Sequence, residues 1–225
     1  MNGMIRRSLC GTLGFVVLTI ATGCGHTGGR ARLVNASPDE PSLDATINGQ
    51  AFASGVAYST ASPYTSVSSG SPQLIIMPGG STTALLTQNV TLPSSGDTTI
   101  IASNFSSNLA AVVLADDNSA PTASDIKLRI VNLAPTLGPA DVYIVPPGTD
   151  LTTVSPNATR PGFEAATVYF SLMAGSYDVV FTLPGQKFPS IDSGILVFTA
   201  GQVRTVAAIN SPTAGLATAT LSDLN

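Results

Sequence analysis

The sequence lacks tryptophan and carries little charge. Only 10% of its 225 residues are Asp, Glu, Lys or Arg, whereas 44% are hydrophobic. Disordered chains combine low hydrophobicity with high net charge, so this composition favours a folded chain. The formal net charge of −4 also lacks the basic excess with which nucleic-acid binders displace counterions from phosphates. No nucleic-acid partner is expected.

Histidine and cysteine are nearly absent. The single histidine is His26, and the two cysteines are Cys10 and Cys24. A Ser-His-Asp triad needs a histidine held between its partners, and the usual zinc sites need His or Cys ligands. No G-x-S-x-G nucleophile elbow occurs either. We therefore predict that the protein is not an enzyme and has no metal or cofactor.

The first 24 residues have the parts of a bacterial secretory signal. Arg6-Arg7 is followed by an apolar run from Leu9 to Ala21, which is shorter than the about 20 residues of a membrane-spanning helix. Ala21-Thr22-Gly23-Cys24 resembles the lipobox of bacterial lipoproteins, although Leu is commoner where Ala21 stands. The resemblance implies a signal peptide at residues 1–23, cleavage between Gly23 and Cys24, and a diacylglycerol on the Cys24 thiol.

Loss of the signal peptide would leave Cys24 without a disulfide partner, and lipidation explains such a lone cysteine. The alternative is a secreted protein with a free thiol. Residues 24–30 would form a short tether that keeps the folded part near the bilayer. The absence of Asp directly after Cys24 resembles lipoproteins sorted to the outer membrane. We expect a lipid-anchored protein of the bacterial cell envelope, at the outer membrane or cell surface rather than the inner membrane.

An internal repeat organises the rest of the chain. Arg32 to Pro38 reads R-L-V-N-A-S-P, and Arg129 to Pro135 reads R-I-V-N-L-A-P. Later matches follow in the same order: Ala61 to Tyr64 with Ala166 to Tyr169, Leu74 to Gly79 with Val179 to Gly185, and Thr98 to Ala102 with Arg204 to Ala208. This predicts two domains, at 31–120 and 127–225, joined by a linker at 121–126. Coincidence between similar strands is the alternative.

The hydrophobic pattern is that of β-strands. Leu43 to Ile47 alternates with period two and leads into Asn48-Gly49, a strong hairpin signal because both residues tolerate positive φ. Tyr177 to Leu183 also alternates. Further strands are predicted at Ala140 to Val145, Ile195 to Phe198, Val203 to Ile209 and Leu216 to Leu221. We predict an all-β protein of two tandem antiparallel immunoglobulin-like β-sandwiches.

The opening motif resembles the bacterial domain-of-unknown-function 4397 family, whose pattern begins R-x-V-N-A-S-P-D-A-P. A V-D-V-Y-V-D-G strand and a Y-x-x-V-x-A-G-x-Y hairpin follow in that family. The second copy keeps Arg129 to Pro135, Asp141-Val142-Tyr143, and Tyr169 through Tyr177. The resemblance implies exported, often lipidated proteins without an established activity. It transfers no catalytic or binding residue.

Acidic residues are the remaining candidates for chemistry. Asp44 and Asp141 are equivalent by repeat, and paired carboxylates act in glycosidases. Each lies on the polar side of an alternating strand, so a solvated position is expected. Asp116-Asp117-Asn118 could offer oxygen atoms to Ca²⁺, but it lacks the glycine and glutamate of a calcium loop, and an ordinary turn is expected.

The tyrosines could form a sugar-stacking surface. They are Tyr58, Tyr64, Tyr143, Tyr169 and Tyr177. The repeat-matched Tyr64 and Tyr169 are instead expected to pack within or at the corner of each sandwich. We predict a non-enzymatic envelope module that contributes to surface architecture or binds an envelope protein. The alternative is a module that binds a glycan or another small envelope ligand.

Overall fold

The computed structural model describes residues 29–211 and 213–224. The described residues form fifteen β-strands and two 3-10 turns, with no α-helix. None of their helical segments is long and apolar enough to span a membrane. The predicted signal peptide, its cleavage site at Gly23 and the lipidation site Cys24 lie outside the described residues, as does His26. The prediction of an all-β fold is confirmed.

The first sandwich contains eight strands. They are β1 Arg30–Ala36, β2 Ser42–Ile47, β3 Gln50–Ala57, β4 Thr65–Ser66, β5 Gln73–Pro78, β6 Leu86–Asn89, β7 Asp97–Ser103 and β8 Ala110–Asp116. One sheet has the order β4-β1-β7-β8 and the other β3-β2-β5-β6. The predicted hairpin is present, because Asn48 and Gly49 adopt positive φ between β2 and β3. A 3-10 turn at Ser106–Asn108 precedes β8.

The second sandwich contains seven strands. They are β9 Asp125–Asn132, β10 Asp141–Val145, β11 Phe170–Met173, β12 Gly175–Thr182, β13 Pro189–Phe198, β14 Val203–Asn210 and β15 Leu216–Leu224. One sheet has the order β11-β9-β14-β15 and the other β10-β12-β13. A 3-10 turn lies at Leu151–Thr153. The predicted strands within this half are all found, and β13 and β15 are longer than predicted.

One strand pair in each sandwich is parallel, which departs from the antiparallel prediction. β1 runs parallel to β7, with Arg32 opposite Thr99, and β9 runs parallel to β14, with Arg129 opposite Thr205. The chain leaves β1 for the other sheet and returns to β7 at the end where β1 began, so this pair cannot be antiparallel. The other pairs of described strands are antiparallel.

Each sandwich has its own apolar core between its two sheets. Ala31 and Leu33 of β1 point into the first core, opposite Leu43 and Ile76 of the other sheet. The second core contains Val142 and Phe181 among its fully buried residues. Burial of each such aliphatic or aromatic side chain stabilises the fold by about 1.5–3 kcal/mol.

A third apolar cluster joins the two sandwiches. The first sandwich contributes Val34, Ala36 and Ile101 from β1 and β7. The second contributes Val131 of β9, Leu133 directly after β9, Ala207 and Ile209 of β14, and Leu221 of β15. We call the sheets that carry them the inner sheets and the other two the outer sheets. The inner sheets are therefore covered on both faces, and the molecule has four stacked layers.

The two inner sheets begin at the same end of the molecule. Arg32, near the start of β1, contacts Asp223, near the end of β15. The end of β15 pairs with Val203 at the start of β14, which lies beside Lys127 at the start of β9. We call this end, where Gly29 lies, the proximal end and the opposite end the distal end.

Candidate functional site: the seam between the inner sheets

The two inner sheets pack against each other at an interface that we call the seam. Arg32, in the opening R-x-V-N motif of β1, lies at its centre. Its Nε donates to Thr99 Oγ1 at 2.9 Å, its Nη1 donates to the Ser222 carbonyl at 2.6 Å, and its Nη2 donates to Asp223 Oδ1. The Arg32 side chain is 2% exposed and that of Asp223 is 0% exposed. The guanidinium also covers the Tyr64 ring, 4.7 Å from its centroid.

Arg129 makes the same set of contacts from the other side. Its Nε donates to Thr205 Oγ1 at 3.1 Å, and its Nη1 donates to the Ala115 carbonyl at 3.3 Å. Its Nη2 donates to Asp116 Oδ1 at 2.7 Å. The guanidinium lies 4.7 Å from the Tyr169 ring centroid. The predicted repeat thus places equivalent residues in equivalent contacts.

The carboxylates are held by both sandwiches at once. Asp116 Oδ2 accepts hydrogen bonds from Tyr64 Oη at 2.8 Å and Thr99 Oγ1 at 2.6 Å. Asp223 Oδ2 accepts from Tyr169 Oη at 3.0 Å and Thr205 Oγ1 at 2.6 Å. Each aspartate is therefore oriented by the Tyr and Thr of its own sandwich and neutralised by the arginine of the other. The seam has approximate twofold symmetry.

Burial changes the ionisation of these groups. Burial lowers the pKa of Arg32, but the nearby Asp223 and Tyr64 raise it, so that the net shift is upward. Burial raises the pKa of Tyr64 to about 12, and burial together with Asp223 raises the pKa of Tyr169 well above its ordinary value. Arg32 stays charged and the two tyrosines stay protonated at neutral pH, which is the state their hydrogen bonds require.

The asparagine of the R-x-V-N motif has a structural role in each sandwich. Asn35 Nδ2 donates to the carbonyls of Glu40 and Val56, and its Oδ1 accepts from the Ser37 amide at 3.1 Å. Asn132 makes the equivalent bonds, to the Gly138 and Pro161 carbonyls and from the Ala134 amide. Both side chains are buried. The R-x-V-N motif therefore provides one seam residue and one residue that fixes the following loop.

The repeat-matched aspartates Asp44 and Asp141 stabilise turns by accepting hydrogen bonds from backbone amides. Asp44 accepts from the amides of Gly55 and Gly80, and these bonds lower its pKa. Asp141 accepts from the amides of Arg160 at 3.0 Å and Gly185 at 2.7 Å. The expectation of a solvated position is wrong for Asp141, which is 5% exposed. Its carboxylate replaces water with backbone donors, which alternation along one strand does not reveal.

The five tyrosines are buried or half-buried, and they do not form one exposed aromatic surface. Tyr64 and Tyr169 lie in the seam under the arginines. Tyr58 donates to the Asn210 carbonyl across the seam. Tyr143 is packed beneath Lys187, and the Tyr177 hydroxyl donates to the Met173 carbonyl. Tyr64 and Tyr169 are packed, but they lie in the seam between the sandwiches, whereas the expectation was a position within or at the corner of each sandwich.

The acidic stretch Asp116-Asp117-Asn118 does not act as one unit. Asp116 belongs to the seam, whereas Asp117 pairs with Lys127 at 2.6 Å. The hydrogen bond from Lys127 lowers the pKa of Asp117 to about 2. Asn118 donates to Asp97 at 2.8 Å. Within the described residues, no three His, Cys, Asp or Glu side chains are placed to hold a metal ion.

Two equivalent clefts flank the seam. One, of about 380 Å³, lies between residues 59–64 and residues 220–223 of β15. The other, of about 390 Å³, lies between residues 166–169 and residues 113–115 of β8. Arg32 lines the first and Arg129 the second. The sequence patterns did not predict the seam, although an arginine repeated at the same place of the R-x-V-N motif was a signal of a shared polar contact.

Two solved structures similar to the chain are carbohydrate-binding modules. One is a family 26 module of Eubacterium rectale Amy13K in complex with maltoheptaose, with 10% identity and a TM-score of 0.28 over 87% of this chain and 98% of that one. Another is from the streptococcal family 41 modules that recognise alpha-glucan, with 11% identity and a TM-score of 0.25 over 85% and 97%. The search of curated proteins gives no match.

A family model matches residues 29–143, which is just over half of the chain. The match begins at the first described residue, includes the whole first sandwich, and continues through β9 to Tyr143 in β10. It contains both copies of the opening motif, and with them Arg32, Asn35, Arg129 and Asn132. The chain belongs to the family described as Domain of unknown function (DUF4397).

Proposed function

We propose that the chain is a non-catalytic, lipid-anchored module of the bacterial cell envelope. Two tandem copies of the family's domain would form one rigid body that serves surface architecture or protein contacts. The observation that carries this proposal is the reciprocal seam, in which Arg32 pairs with Asp223 and Arg129 pairs with Asp116. The carboxylates of Asp116 and Asp223, which could otherwise take part in catalysis, instead form ion pairs between the two sandwiches.

The equivalence of contacts supports tandem copies. Arg32, Asn35, Tyr64, Thr99 and Asp116 of the first half have partners that match those of their counterparts in the second half. The counterparts are Arg129, Asn132, Tyr169, Thr205 and Asp223. Two backbone amides also make equivalent hydrogen bonds: Leu33 donates to the Ser62 hydroxyl and Ile130 donates to the Thr167 hydroxyl, each at 3.0 Å.

The burial and the hydrogen bonds of four aspartates support a non-catalytic role. A general acid or base must reach the proton that it transfers. Asp116 and Asp223 have fully buried side chains that face internal donors. Asp44 and Asp141 are occupied by backbone amides of their own turns.

A lipid on Cys24 would lie close to the folded part of the chain. Gly29 lies at the proximal end, and residues 24–29 reach at most about 20 Å when extended. A lipid on Cys24 would hold this end against the bilayer.

Fractionation of cells tests the anchor. We expect the wild-type chain in the membrane fraction with an acylated Cys24 by mass spectrometry, and Cys24→Ala without an acyl group, either secreted or retained as an uncleaved precursor. A Gly25→Ala variant is the matched control and should stay acylated. An intact, unacylated N-terminus in the cytosol would contradict the proposal.

A glycan-binding role is the second candidate, favoured by one polar cleft at the proximal end. The cleft, of about 490 Å³, is lined by residues that include Arg30, Asp97, Asp117 and Ser119. Carboxylates and a guanidinium are suitable partners for sugar hydroxyls. A glycan array with residues 25–225 should then give binding that Asp117→Ala removes and Asp192→Ala keeps. Binding that both variants keep would count against this cleft.

A further inference from the structure

Each sheet of the two sandwiches ends in edge strands, and most of these edges are protected against pairing with another chain. Backbone donors and acceptors along an edge are otherwise a template for a further strand. β4, β6 and β11 have at most four residues each. β3 and β13 contain bulges at which Gly55 and Gly194 adopt positive φ. Residues 157–158 cover β10, where the Val142 amide donates to the Ala158 carbonyl at 2.8 Å.

Among the described strands, β8 and β15 are the two edges without such protection. β8 has seven residues and pairs with β7 without a register shift. β15 has nine residues, and its single register shift lies at its end, beyond Ser222. Neither residues 110–115 nor residues 216–222 include a charged residue, a proline or a glycine. Long, flat and uncharged edges of this kind are the ones at which strands add.

The hydrogen bonds of the seam show which backbone groups of these two strands face outward. The carbonyls of Ala115 in β8 and Ser222 in β15 each accept from the seam arginine of the other sandwich. A residue of an antiparallel strand points its N–H and C=O groups to the same side, and successive residues alternate. The amides of Val113 and Thr220, two residues earlier, therefore also point away from β7 and β14.

Beside each of these edges, the other sandwich provides a ledge. We call residues 59–64 and residues 166–169 the ledges. The Ser62 amide donates to the Leu33 carbonyl of β1 at 2.8 Å, and the equivalent bond joins the second ledge to β9 at 2.9 Å. Each ledge leads into β4 or β11, which is the outermost strand of its inner sheet. The ledges therefore form the borders of the inner sheets.

Each cleft beside the seam lies between a ledge of one sandwich and an unprotected edge of the other. The first separates its ledge from residues 220–223 of β15, and the second separates its ledge from residues 113–115 of β8. Neighbouring strands lie about 4.8 Å apart, and no strand of the described sheets continues beyond the ledge. The space over each ledge therefore has the width of one strand.

The side chains at the clefts favour an uncharged occupant. Each ledge offers apolar groups, which are Ala61, Pro63 and Tyr64 in the first and Ala166, Val168 and Tyr169 in the second. Val168 is 78% exposed. The charged side chains of the seam are buried and paired with one another, as Arg32 is with Asp223. A charged strand would find no partner there, whereas β-branched, uncharged residues fit a pleated and half-buried position.

We propose that β8 and β15 each bind one extended, uncharged peptide segment of another protein, which adds a fifth strand to the inner sheet and covers the ledge. Backbone hydrogen bonds to the edge supply affinity, and the alternate side chains that face the ledge supply selectivity. Because the two edges are equivalent, each chain has two such sites. The inference deepens the protein-contact role of the proposed function, on which it rests only for its setting at the cell envelope.

Calorimetric titration of residues 25–225 with a peptide tests the sites. The probe is the heptapeptide T-V-T-V-T-V-T with both termini blocked, which is uncharged and rich in β-branched residues. We expect two peptides to bind per chain. N-methylation of two consecutive central amides blocks hydrogen bonds on both edges of the peptide, and should weaken binding at least about tenfold.

Proline substitutions at the outward amides test each edge separately. Val113→Pro and Thr220→Pro each remove one outward donor and leave the bonds to β7 or β14 in place, and edge strands tolerate such a proline. Each variant should bind one peptide, and the double variant none. Val113→Thr and Thr220→Val keep the amides, are the matched controls, and should bind two. Circular dichroism verifies the fold of all five variants.

Amide hydrogen exchange, followed by NMR, tests the same sites in the unmodified chain. The Val113 and Thr220 amides should exchange rapidly in the chain alone and at least about tenfold more slowly with the peptide. The Leu114 and Leu221 amides, which face β7 and β14, should exchange slowly in both states. This measurement does not depend on the folding of a proline variant.

A chain that binds no peptide at about 1 mM, binding that N-methylation leaves unchanged, or protection confined to other strands would overturn the proposal. So would a chain that dimerises through β8 or β15 and excludes the peptide, which would identify a second copy as the occupant. These measurements use a chain without lipid, so failure of the strand addition and failure of the anchor are distinguishable.

Discussion

Arg32 of the first sandwich forms its buried ion pair with Asp223 of the second, 191 residues further along the chain. The opposite pair, Arg129 with Asp116, crosses the same seam. Removing a charge from water is costly unless a partner and further hydrogen bonds are supplied. Here each sandwich supplies the partner that the other needs. The two sandwiches therefore specify their relative placement through charge as well as through the apolar cluster.

The first prediction concerns the loss of one seam arginine. Arg32→Met should lower the free energy of unfolding by about 3–5 kcal/mol, because Asp223 would remain buried without its cation. Arg129→Met should cost a similar amount, since its contacts are equivalent. Urea denaturation followed by circular dichroism measures both.

The control for this prediction is Lys127→Met. Lys127 pairs with Asp117, whose side chain is 58% exposed, and an exposed pair is worth at most about 1 kcal/mol. If Arg32→Met cost no more than Lys127→Met, the seam would not be a stabilising charge network. A double variant, Arg32→Met with Asp223→Leu, should recover part of the loss because no unpaired charge remains.

The second prediction concerns the apolar part of the seam. Leu133 is 1% exposed and lies in the cluster between the inner sheets. Leu133→Ala should cost about 2–5 kcal/mol and keep a single unfolding transition, because the sandwiches share this surface. Differential scanning calorimetry measures the number of unfolding transitions. Two separate transitions in the wild-type chain would show that the sandwiches unfold independently.

The third prediction concerns the asparagine of the opening motif. Asn35→Asp should destabilise the chain more than Asn35→Ala, because a carboxylate would face the Glu40 and Val56 carbonyls without a proton to donate. A buried polar group left unpaired costs about 1–3 kcal/mol, and Asn35→Ala leaves three. Thermal unfolding ranks the two variants. Equal stability of Asn35→Asp and wild type would contradict the assigned role.

Local patterns were sufficient to predict β2 in the first sandwich and β10 and β12 to β15 in the second. Alternation and the Asn48-Gly49 turn depend on neighbours in sequence, so they identified β2 and its hairpin, and the repeat aligned Thr99 with Thr205. The parallel pairing of β1 with β7 could not be predicted from alternation, because both directions of pairing bury the same residues.

The seam could not be predicted for a different reason. Val34 and Ile101 are apolar whether they contact the same domain or another one, so hydrophobicity does not identify the neighbour. Asp141 was misplaced because its partners, the Arg160 and Gly185 amides, come from loops 19 and 44 residues away. A hydrogen bond between residues that are distant in the chain leaves no periodic signal in the sequence.

The last prediction concerns alkaline pH. Burial raises the pKa of Tyr64 and of Tyr58 to about 12, against the ordinary value of 10.0. Between these values the unfolded chain releases protons that the folded chain retains. The stability from these tyrosines is therefore fully present below pH 10 and is lost as the pH rises from 10 towards 12. Urea midpoints at pH 8 to 12 should fall accordingly, and unfolding in this range should increase the tyrosinate absorbance. Tyr64→Phe should be less stable at pH 8, because the hydrogen bond to Asp116 is lost, and should show a shallower decline above pH 10. An identical decline in both proteins would mean that Tyr64 ionises freely while folded, and that its hydroxyl is not locked in the seam.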